Sequence, residues 1–311
     1  MVDIQVPNTI VRPTLGITYV AAFPPERLRE AVGSADAAGL DQFWLWEDCF
    51  SHGGVSSAAV ALASSQRITV GMGLLPVPLR NVALTAMELA TLHRLFPGRF
   101  IAGVGHGVQD WMGKVGAQVE SPMTLLAEYH GVLRQLLDGQ SVTFDGRYVR
   151  VDDVSLQFPP LDSVPLMLGG RGPRSLRLAA RFGDGTLLDT GQGDEEIRGA
   201  CEAIRSERVA AGLSEVRHQV FAILIAATGP RSAERVTNEV ARWNPSPAAD
   251  VAVSGDAADI ADAVNRLAAI GVTSVAIQPT EDEPDLIGFI EFLGTEVMPR
   301  LESPTTERGN A

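Results

Sequence analysis

The sequence predicts an α/β fold in the form of a (β/α)8 barrel, and three observations support this prediction. Strand-like and helix-like segments alternate along the whole chain, and the repeating pattern contains eight strand-like segments. These segments are apolar almost throughout, which is typical of parallel strands that helices cover. The length of 311 residues also suits such a barrel, since barrels often exceed about 250 residues as one unit.

The predicted strands lie at residues 14–20, 42–47, 68–75, 99–104, 165–168, 185–189, 218–227 and 273–278. The predicted helices lie at residues 26–38, 56–65, 81–95, 122–137, 194–211, 232–243, 256–269 and 285–301, and a further helix begins at Pro173. Gly39 ends the first helix, and Pro97 with Gly98 ends the third. Residues 142–149 interrupt the alternation, because an Asp145–Gly146 turn between short alternating runs predicts a β-hairpin inserted between strands four and five.

A doubly wound open sheet is the competing architecture. It would have fewer repeating units and a glycine fingerprint in its first strand-to-helix turn, whereas residues 21–25 contain no glycine. We therefore expect residues 1–311 to form one barrel domain. We expect residues 245–255 to form a surface loop and residues 303–311 a flexible tail.

The composition restricts the partners that the chain would bind. Hydrophobic residues make up 45% and charged residues 20%, and no apolar run approaches the roughly 18 residues that span a bilayer. A formal charge of −13 argues against nucleic acid and anionic membranes as partners. The two cysteines, Cys49 and Cys201, are too few for a disulfide framework or a zinc knuckle. We expect a cytoplasmic protein that holds no metal and binds a small molecule.

The segment from 166 to 181 predicts a phosphate-binding turn. A short apolar strand leads through Gly169, Gly170 and Gly172 into a helix that Pro173 opens. Glycines let the backbone approach an anion closely, and the free N–H groups of a first helical turn favour negative charge. An ordinary tight strand-to-helix loop would have the same local sequence, so both interpretations stay open at this point.

Further candidate residues follow the other strands, because the functional site of a barrel lies at the carboxyl ends of its strands. Strand two ends at Glu47 and is followed by Asp48 and Cys49, and strand four is followed by Gly105, His106 and Gly107. His106 is the best acid–base candidate, because imidazole titrates near neutral pH and the flanking glycines leave it room. A hydrogen-bonded rim histidine without a proton role is the alternative.

Other residues carry weaker signals. His52 is close enough in sequence to reach the same end of the barrel. Trp111 and Met112 would either wall an apolar pocket or anchor a loop. The remaining histidines are expected to be structural: His93, His130 and His218.

Four segments together resemble the luciferase-like monooxygenase superfamily, whose barrels bind FMN or the deazaflavin coenzyme F420. They are residues 73–81, residues 98–105, residues 170–181 followed by 183–185, and the inserted segment between residues 137 and 165. The resemblance implies a non-prolyl cis peptide at Gly73–Leu74 that supports the central ring of the cofactor. The deazaflavin branch has an Asp-His pair after strand two, where this chain has Asp48 and Cys49. A sugar-phosphate dehydrogenase would carry a glutamate at the position of Val108, so that activity is excluded.

The resemblance implies an oxidoreductase that transfers a hydride between F420 and a small organic substrate, with FMN as the alternative cofactor. An FMNH2-dependent two-component monooxygenase and a non-catalytic flavin-binding barrel are the alternative functions. It also implies a homodimer built from outer helices of the first half. His106 and Asp48 are the expected catalytic residues. The expected cofactor-binding residues are Asp48, Cys49, Gly73, Leu74, Gly105, His106, Gly107, Gly169, Gly170, Arg171, Gly172 and Pro173.

Overall fold

A closed barrel of eight parallel strands forms the centre of the chain, in a computed structural model that describes residues 12–243 and 250–302. Each strand pairs with the next along the chain, and the strands from the two ends of the chain pair with each other to close the barrel. This arrangement confirms the predicted fold class. The barrel strands are β1 (Thr14–Tyr19), β2 (Gln42–Leu45), β3 (Thr69–Pro76), β4 (Phe100–Gly105), β7 (Leu166–Gly169), β8 (Gly185–Leu187), β9 (Gln219–Ala227) and β11 (Ser274–Pro279).

The inserted hairpin lies between β4 and β7, as predicted, but its second strand begins later than residues 142–149 allow. Its strands are β5 (Val142–Asp145) and β6 (Arg150–Val154). The residues between them form the connection, because the Glu128 carboxylate accepts the backbone N–H groups of Arg147, Tyr148 and Val149. These N–H groups are therefore unavailable for strand pairing.

Ten α-helices in the described ranges surround the barrel. They are α1 (Leu28–Ala37), α2 (Gly54–Ala63), α3 (Val82–Leu95), α4 (Gln109–Lys114), α5 (Pro122–Leu137), α6 (Pro173–Phe182), α7 (Asp194–Ala210), α8 (Ser232–Trp243), α9 (Ala257–Ala269) and α10 (Leu286–Phe292). The predicted helix at 285–301 is not uniform, since a π-helical turn, Leu293–Val297, follows α10.

Two short elements depart from the sequence prediction. Helix α4 occupies a segment expected to be a loop. Strand β10 (Ala252–Ser254) lies within the loop predicted at 245–255, and it pairs with the end of β9 at residues 225–227, beyond the residues that pair with β8. Residues 245–249 of that loop and the tail at 303–311 lie outside the described residues.

The interior of the barrel is packed with large side chains that support one end of it. The rings of Trp44 on β2 and Phe221 on β9 lie 4.1 Å apart between centroids. Gly71 makes room for this pair, since a Cβ on Gly71 would overlap with the Trp44 ring. Trp46 and Leu74 pack on the same cluster from the carboxyl ends of β2 and β3, so the apolar interior supports the residues above it.

Among the helices of residues 12–243 and 250–302, none combines the length and the apolarity that a membrane span requires.

Candidate active site

A cavity of about 380 Å³ opens at the carboxyl ends of the barrel strands. This is where functional residues of such barrels lie, and the volume is near the lower end of the roughly 300–1,000 Å³ typical of ligand pockets. Nine of the predicted site residues line it: Asp48, Gly73, Leu74, Gly105, His106, Gly107, Gly169, Gly170 and Arg171. Cys49, Gly172 and Pro173 are not among the lining residues.

The floor of the cavity depends on one leucine and two glycines. The Gly73–Leu74 peptide bond is cis, as the family resemblance implies, and the pairing of β3 with β4 shifts register between Met72 and Leu75. The Leu74 side chain lies against Gly105 on β4 and Gly169 on β7, and a Cβ added to either glycine would overlap with Leu74. These glycines therefore make room for Leu74, whereas the sequence suggested that Gly105 makes room for His106.

The two carboxylates after β2 have different environments. Glu47 accepts the backbone N–H of Gly54 at 3.0 Å and forms an ion pair of 2.5 Å with Arg80, which also faces Glu88 at 3.5 Å. Asp48 lines the cavity, and its carboxylate has no hydrogen-bond or ion-pair partner in the described part of the chain. Burial raises the pKa of Asp48 to about 6. Glu47 thus holds the loop in place, while Asp48 is free to exchange a proton near neutral pH.

The orientation of His106 is set by its own loop. Its Nδ1 lies 2.8 Å from the carbonyl oxygen of Gly107, and Gln109 Nε2 donates to the His106 carbonyl oxygen at 3.0 Å. A carbonyl oxygen only accepts, so Nδ1 carries a proton. In the neutral ring Nε2 is then the acceptor, and it has no partner among residues 12–243 and 250–302. This arrangement suits a group that accepts or returns one proton.

The loop between β7 and α6 presents only some of its backbone N–H groups. Gly170 N–H donates to the Leu187 carbonyl at 3.0 Å, and Arg171 N–H donates to Ser175 Oγ at 3.2 Å. The N–H groups of Gly172, Arg174 and Ser175 have no acceptor in the described ranges, and no side chain caps the helix. The backbone N–H groups that are available to an anion therefore lie at the start of α6 rather than at Gly170 and Arg171.

The Arg171 side chain lines the cavity and forms two ion pairs. Its guanidinium lies 3.5 Å from Asp189, which follows β8, and 3.4 Å from Glu196 on α7. Burial raises the pKa of Asp189, and the positive charge of Arg171 opposes this shift. Arg171 is therefore paired with two carboxylates, and an incoming anion would have to compete with both of them.

The remaining histidines fall into two groups. His52 packs against the ring of Tyr19, with 6.1 Å between the ring centroids, and does not line the cavity. The other three are largely buried, and burial lowers the pKa of each to about 4, which fits their predicted structural roles: His93, His130 and His218.

Cys49 lies beside the two carboxylates that follow β2. Partial burial and the charges of Glu47 and Asp48 raise the pKa of its thiol. Cys49 is therefore a neutral thiol at neutral pH, which differs from an imidazole at the same position.

Sequence reasoning did not identify several lining residues. Trp243 at the end of α8, Thr190 after β8 and Ile223 on β9 line the cavity. No local pattern marks them, since each reaches the cavity only through the closure of the barrel. The sequence left two roles open for Trp111 and Met112, a pocket wall or an anchor for the loop. Trp111 lines the cavity, whereas Met112 is fully buried and does not line it.

Within the described ranges, no group of three or more His, Cys, Asp or Glu side chains is arranged to hold a metal ion.

The barrel and the cavity at its carboxyl end define the class of protein, a (β/α)8 barrel with a ligand-sized cavity beside the start of a helix. Comparison with known sequences identifies the family. The profile of the luciferase-like monooxygenase family matches residues 8–268, and the chain belongs to this family.

Individual relatives are enzymes. The chain is similar to 5,10-methylenetetrahydromethanopterin reductase of Archaeoglobus fulgidus, with 26% identity over 333 residues that cover 92% of this chain and 99% of that protein. It is 33% identical to F420-dependent glucose-6-phosphate dehydrogenase of Mycobacterium avium over 187 residues, which is 56% of each protein. The structure of an F420-dependent secondary alcohol dehydrogenase shares the fold, with a TM-score of 0.83 and 20% identity over 94% of this chain and 100% of that one.

Proposed function

We propose that this chain is an F420-dependent oxidoreductase that transfers a hydride between coenzyme F420 and a small organic substrate. The observation that carries the proposal is the start of α6, where three backbone N–H groups have no acceptor among the described residues and follow directly after Gly170 and Arg171, which line the cavity. F420 carries a phosphate on its side chain, and a helix N-terminus with free N–H groups is a suitable site for it. The names of two similar enzymes, which include F420, support the choice of this cofactor.

The residues around the cavity fit a planar tricyclic ring. The floor consists of Leu74 between Gly105 and Gly169, which gives an apolar surface with no side chains projecting from the two glycines. Trp46 and Ile223 add apolar walls. F420, when bound, would supply the hydride acceptor or donor, and these residues would orient the ring and exclude water.

The protein's chemical contribution would be the proton that accompanies the hydride. When a substrate alcohol is oxidised, its C–H bond gives up a hydride and its O–H bond gives up a proton. Among the described residues that line the cavity, His106 Nε2 and the Asp48 carboxylate are two groups without a partner that are suited to accept that proton, and they would return it in the reverse direction. Val108 lines the cavity where a sugar-phosphate dehydrogenase of this family carries a glutamate, so we do not propose a sugar phosphate as the substrate.

Gly172 provides a direct test of the anion site. Its φ of −80° and ψ of 161° suit proline as well as alanine, and a Cβ at this position would meet nothing within 4 Å. Gly172→Pro removes one free N–H group, whereas Gly172→Ala keeps it. A hydrogen bond to a charged group contributes about 1.5–3 kcal/mol, so we expect the proline variant to bind F420 about tenfold or more weakly.

The measurement is a titration of each protein with oxidised F420, followed by the absorbance of the deazaflavin. Equal affinities of the two variants would refute the placement of the phosphate. Parallel titrations with FMN and with reduced FMN, together with oxygen consumption, test the two-component monooxygenase. Binding of F420 without turnover of any substrate tested would favour the flavin-binding barrel without catalysis, and unchanged turnover in His106→Ala and Asp48→Asn would refute the proton-transfer role of these two residues.

We also propose that the protein is a homodimer that uses outer helices of its first half. The exposed apolar side chains Leu84, Met87 and Leu95 occur at helical spacing on α3 and share one face. A row of this kind on an outer helix supports a contact with a second copy. Sedimentation of the wild-type protein over a range of concentrations tests the proposal, and a monomer at all concentrations would refute it.

A further inference from the structure

Helix α8 contributes a tryptophan to the lining of the cavity, and a buried carboxylate on the same helix accepts a hydrogen bond from it. Trp243 lines the cavity, and its indole Nε1 donates to Glu239 Oε1 at 3.0 Å. Glu239 is 3% exposed, although glutamate is rarely this buried without partners. It also accepts Gln278 Nε2 and the backbone N–H of Glu281, each at 3.2 Å.

The same carboxylate is connected to a second lining residue. Gln278 on β11 is 1% exposed, and its Oε1 accepts the hydroxyl of Thr190 at 3.2 Å. Thr190 lines the cavity, as Trp243 does. Arg242 Nη1 lies 3.7 Å from Glu239 and provides a partial counter-charge. A buried polar network whose members are all bonded restricts its side chains to one arrangement, so Glu239 fixes both lining residues.

The charges around the cavity restrict the kind of substrate. Arg171 is the only lysine or arginine among the described lining residues, and it is paired with Asp189 and Glu196. Glu47, Asp48 and Asp189 place three carboxyl groups at the same cavity. An anionic substrate would therefore be repelled, whereas an uncharged one would meet tryptophan rings and aliphatic side chains.

We propose that Trp243 is the specificity-determining wall of this cavity, that Glu239 is the positioning residue that holds it, and that the site takes a small uncharged ketone or alcohol. The substrate class rests on the proposed function. The role of the wall does not, because it concerns which molecules fit in the cavity. A tricyclic ring would occupy much of the 380 Å³, so only a small substrate would fit beside it.

The experiment measures the dissociation constants of cyclic ketones of increasing ring size, and of a keto acid of matched size, by calorimetry. The wild-type protein is measured with and without F420, and F420 binding is measured separately. We expect the small ketones to bind at least tenfold more tightly than the keto acid. If no ketone binds, or if the keto acid binds best, the substrate class is overturned. Failure of F420 to bind would refute the proposed function and leave the ketone measurements valid.

Variants of Trp243 and Glu239 distinguish the role of the lining tryptophan from the role of the carboxylate that positions it. Trp243→Ala should improve the affinity for large rings relative to small ones at least tenfold. Glu239→Ala, which does not alter a lining residue, should shift the ratio in the same direction. Glu239→Gln retains an acceptor for the indole and should keep the wild-type ratio. Asn238→Ala, an exposed position on the same helix, is the control.

A second substitution at the tryptophan keeps the test decisive if Glu239→Ala fails to fold. Trp243→Phe preserves an aromatic ring but lacks the N–H that binds Glu239, so it should give a ratio between those of the wild-type protein and Trp243→Ala. A wild-type ratio in Trp243→Ala would overturn the role of the wall. A wild-type ratio in folded Glu239→Ala would overturn the positioning role, and if that variant does not fold, a wild-type ratio in Trp243→Phe would overturn it instead.

Discussion

Replacing Asp48 with asparagine should stabilise the protein, and by more as the pH rises. Burial moves the pKa of Asp48 from its ordinary value of 3.8 to about 6. Each unit of pKa corresponds to about 1.4 kcal/mol, so the ionised carboxylate destabilises the fold by at most about 3 kcal/mol. The carboxyl is only partly enclosed, and water that reaches it reduces this value.

The direction of the pH dependence follows from proton linkage. Asp48 holds its proton more tightly in the folded protein than in the unfolded one, so its contribution to stability falls as the pH rises from 3.8 to about 6 and is constant above that range. The advantage of Asp48→Asn should therefore grow from at most about 1.6 kcal/mol near pH 5 to at most about 3 kcal/mol near pH 8.

Urea unfolding followed by circular dichroism across this pH range measures the difference. Asp152→Asn serves as the control, because Asp152 is exposed and has no partner in the described part of the chain. A difference that is independent of pH, or a variant less stable than the wild type at every pH, would refute the buried, unpaired state of Asp48. Asp48→Asn should also lose the part of the activity profile that depends on a group titrating near pH 6.

Three further predictions concern packing, charge and assembly. Gly169→Ala should weaken F420 binding and lower the melting temperature, because its Cβ displaces Leu74. Gly172→Ala, the control, should change neither quantity. Equal F420 affinities and equal melting temperatures of the two variants would contradict the contact between Gly169 and Leu74. Arg80→Met should lower the free energy of unfolding by about 3 kcal/mol, since it leaves two largely buried carboxylates unpaired, and a urea midpoint like that of the wild type would show that this ion pair is unimportant. Met87→Glu should shift the protein towards monomer in sedimentation experiments, and an unchanged dimer would place the interface elsewhere.

The barrel could be predicted because its signals are local. Apolar runs of strand length and helices that end at glycine or proline are visible in any short window of the sequence. Helix α4 is only six residues long, and β10 only three, so neither is long enough to show a period. Strand β10 also depends on pairing with residues 225–227, which lie far along the chain.

The candidate site shows the same limit. The rule that barrel sites follow the strands was sufficient to group Asp48, His106 and the segment after β7 around one cavity. The state of each group depends on contacts between distant residues. The N–H of Gly170 is engaged by Leu187, and the indole of Trp243 is fixed by a network that reaches β11. No pattern within one segment contains this information.

The contact of Leu74 with Gly105 and Gly169 has a consequence for how this barrel could diverge or be redesigned. The side chain of Leu74 on β3 fills the space beside Gly105 on β4 and Gly169 on β7, so the residues allowed at these three positions depend on one another. A methyl group on β4 or β7 becomes acceptable only after residue 74 has become smaller. The order in which the substitutions are introduced would therefore decide which cavity shapes are accessible, and variants that fail singly would be recovered in combination.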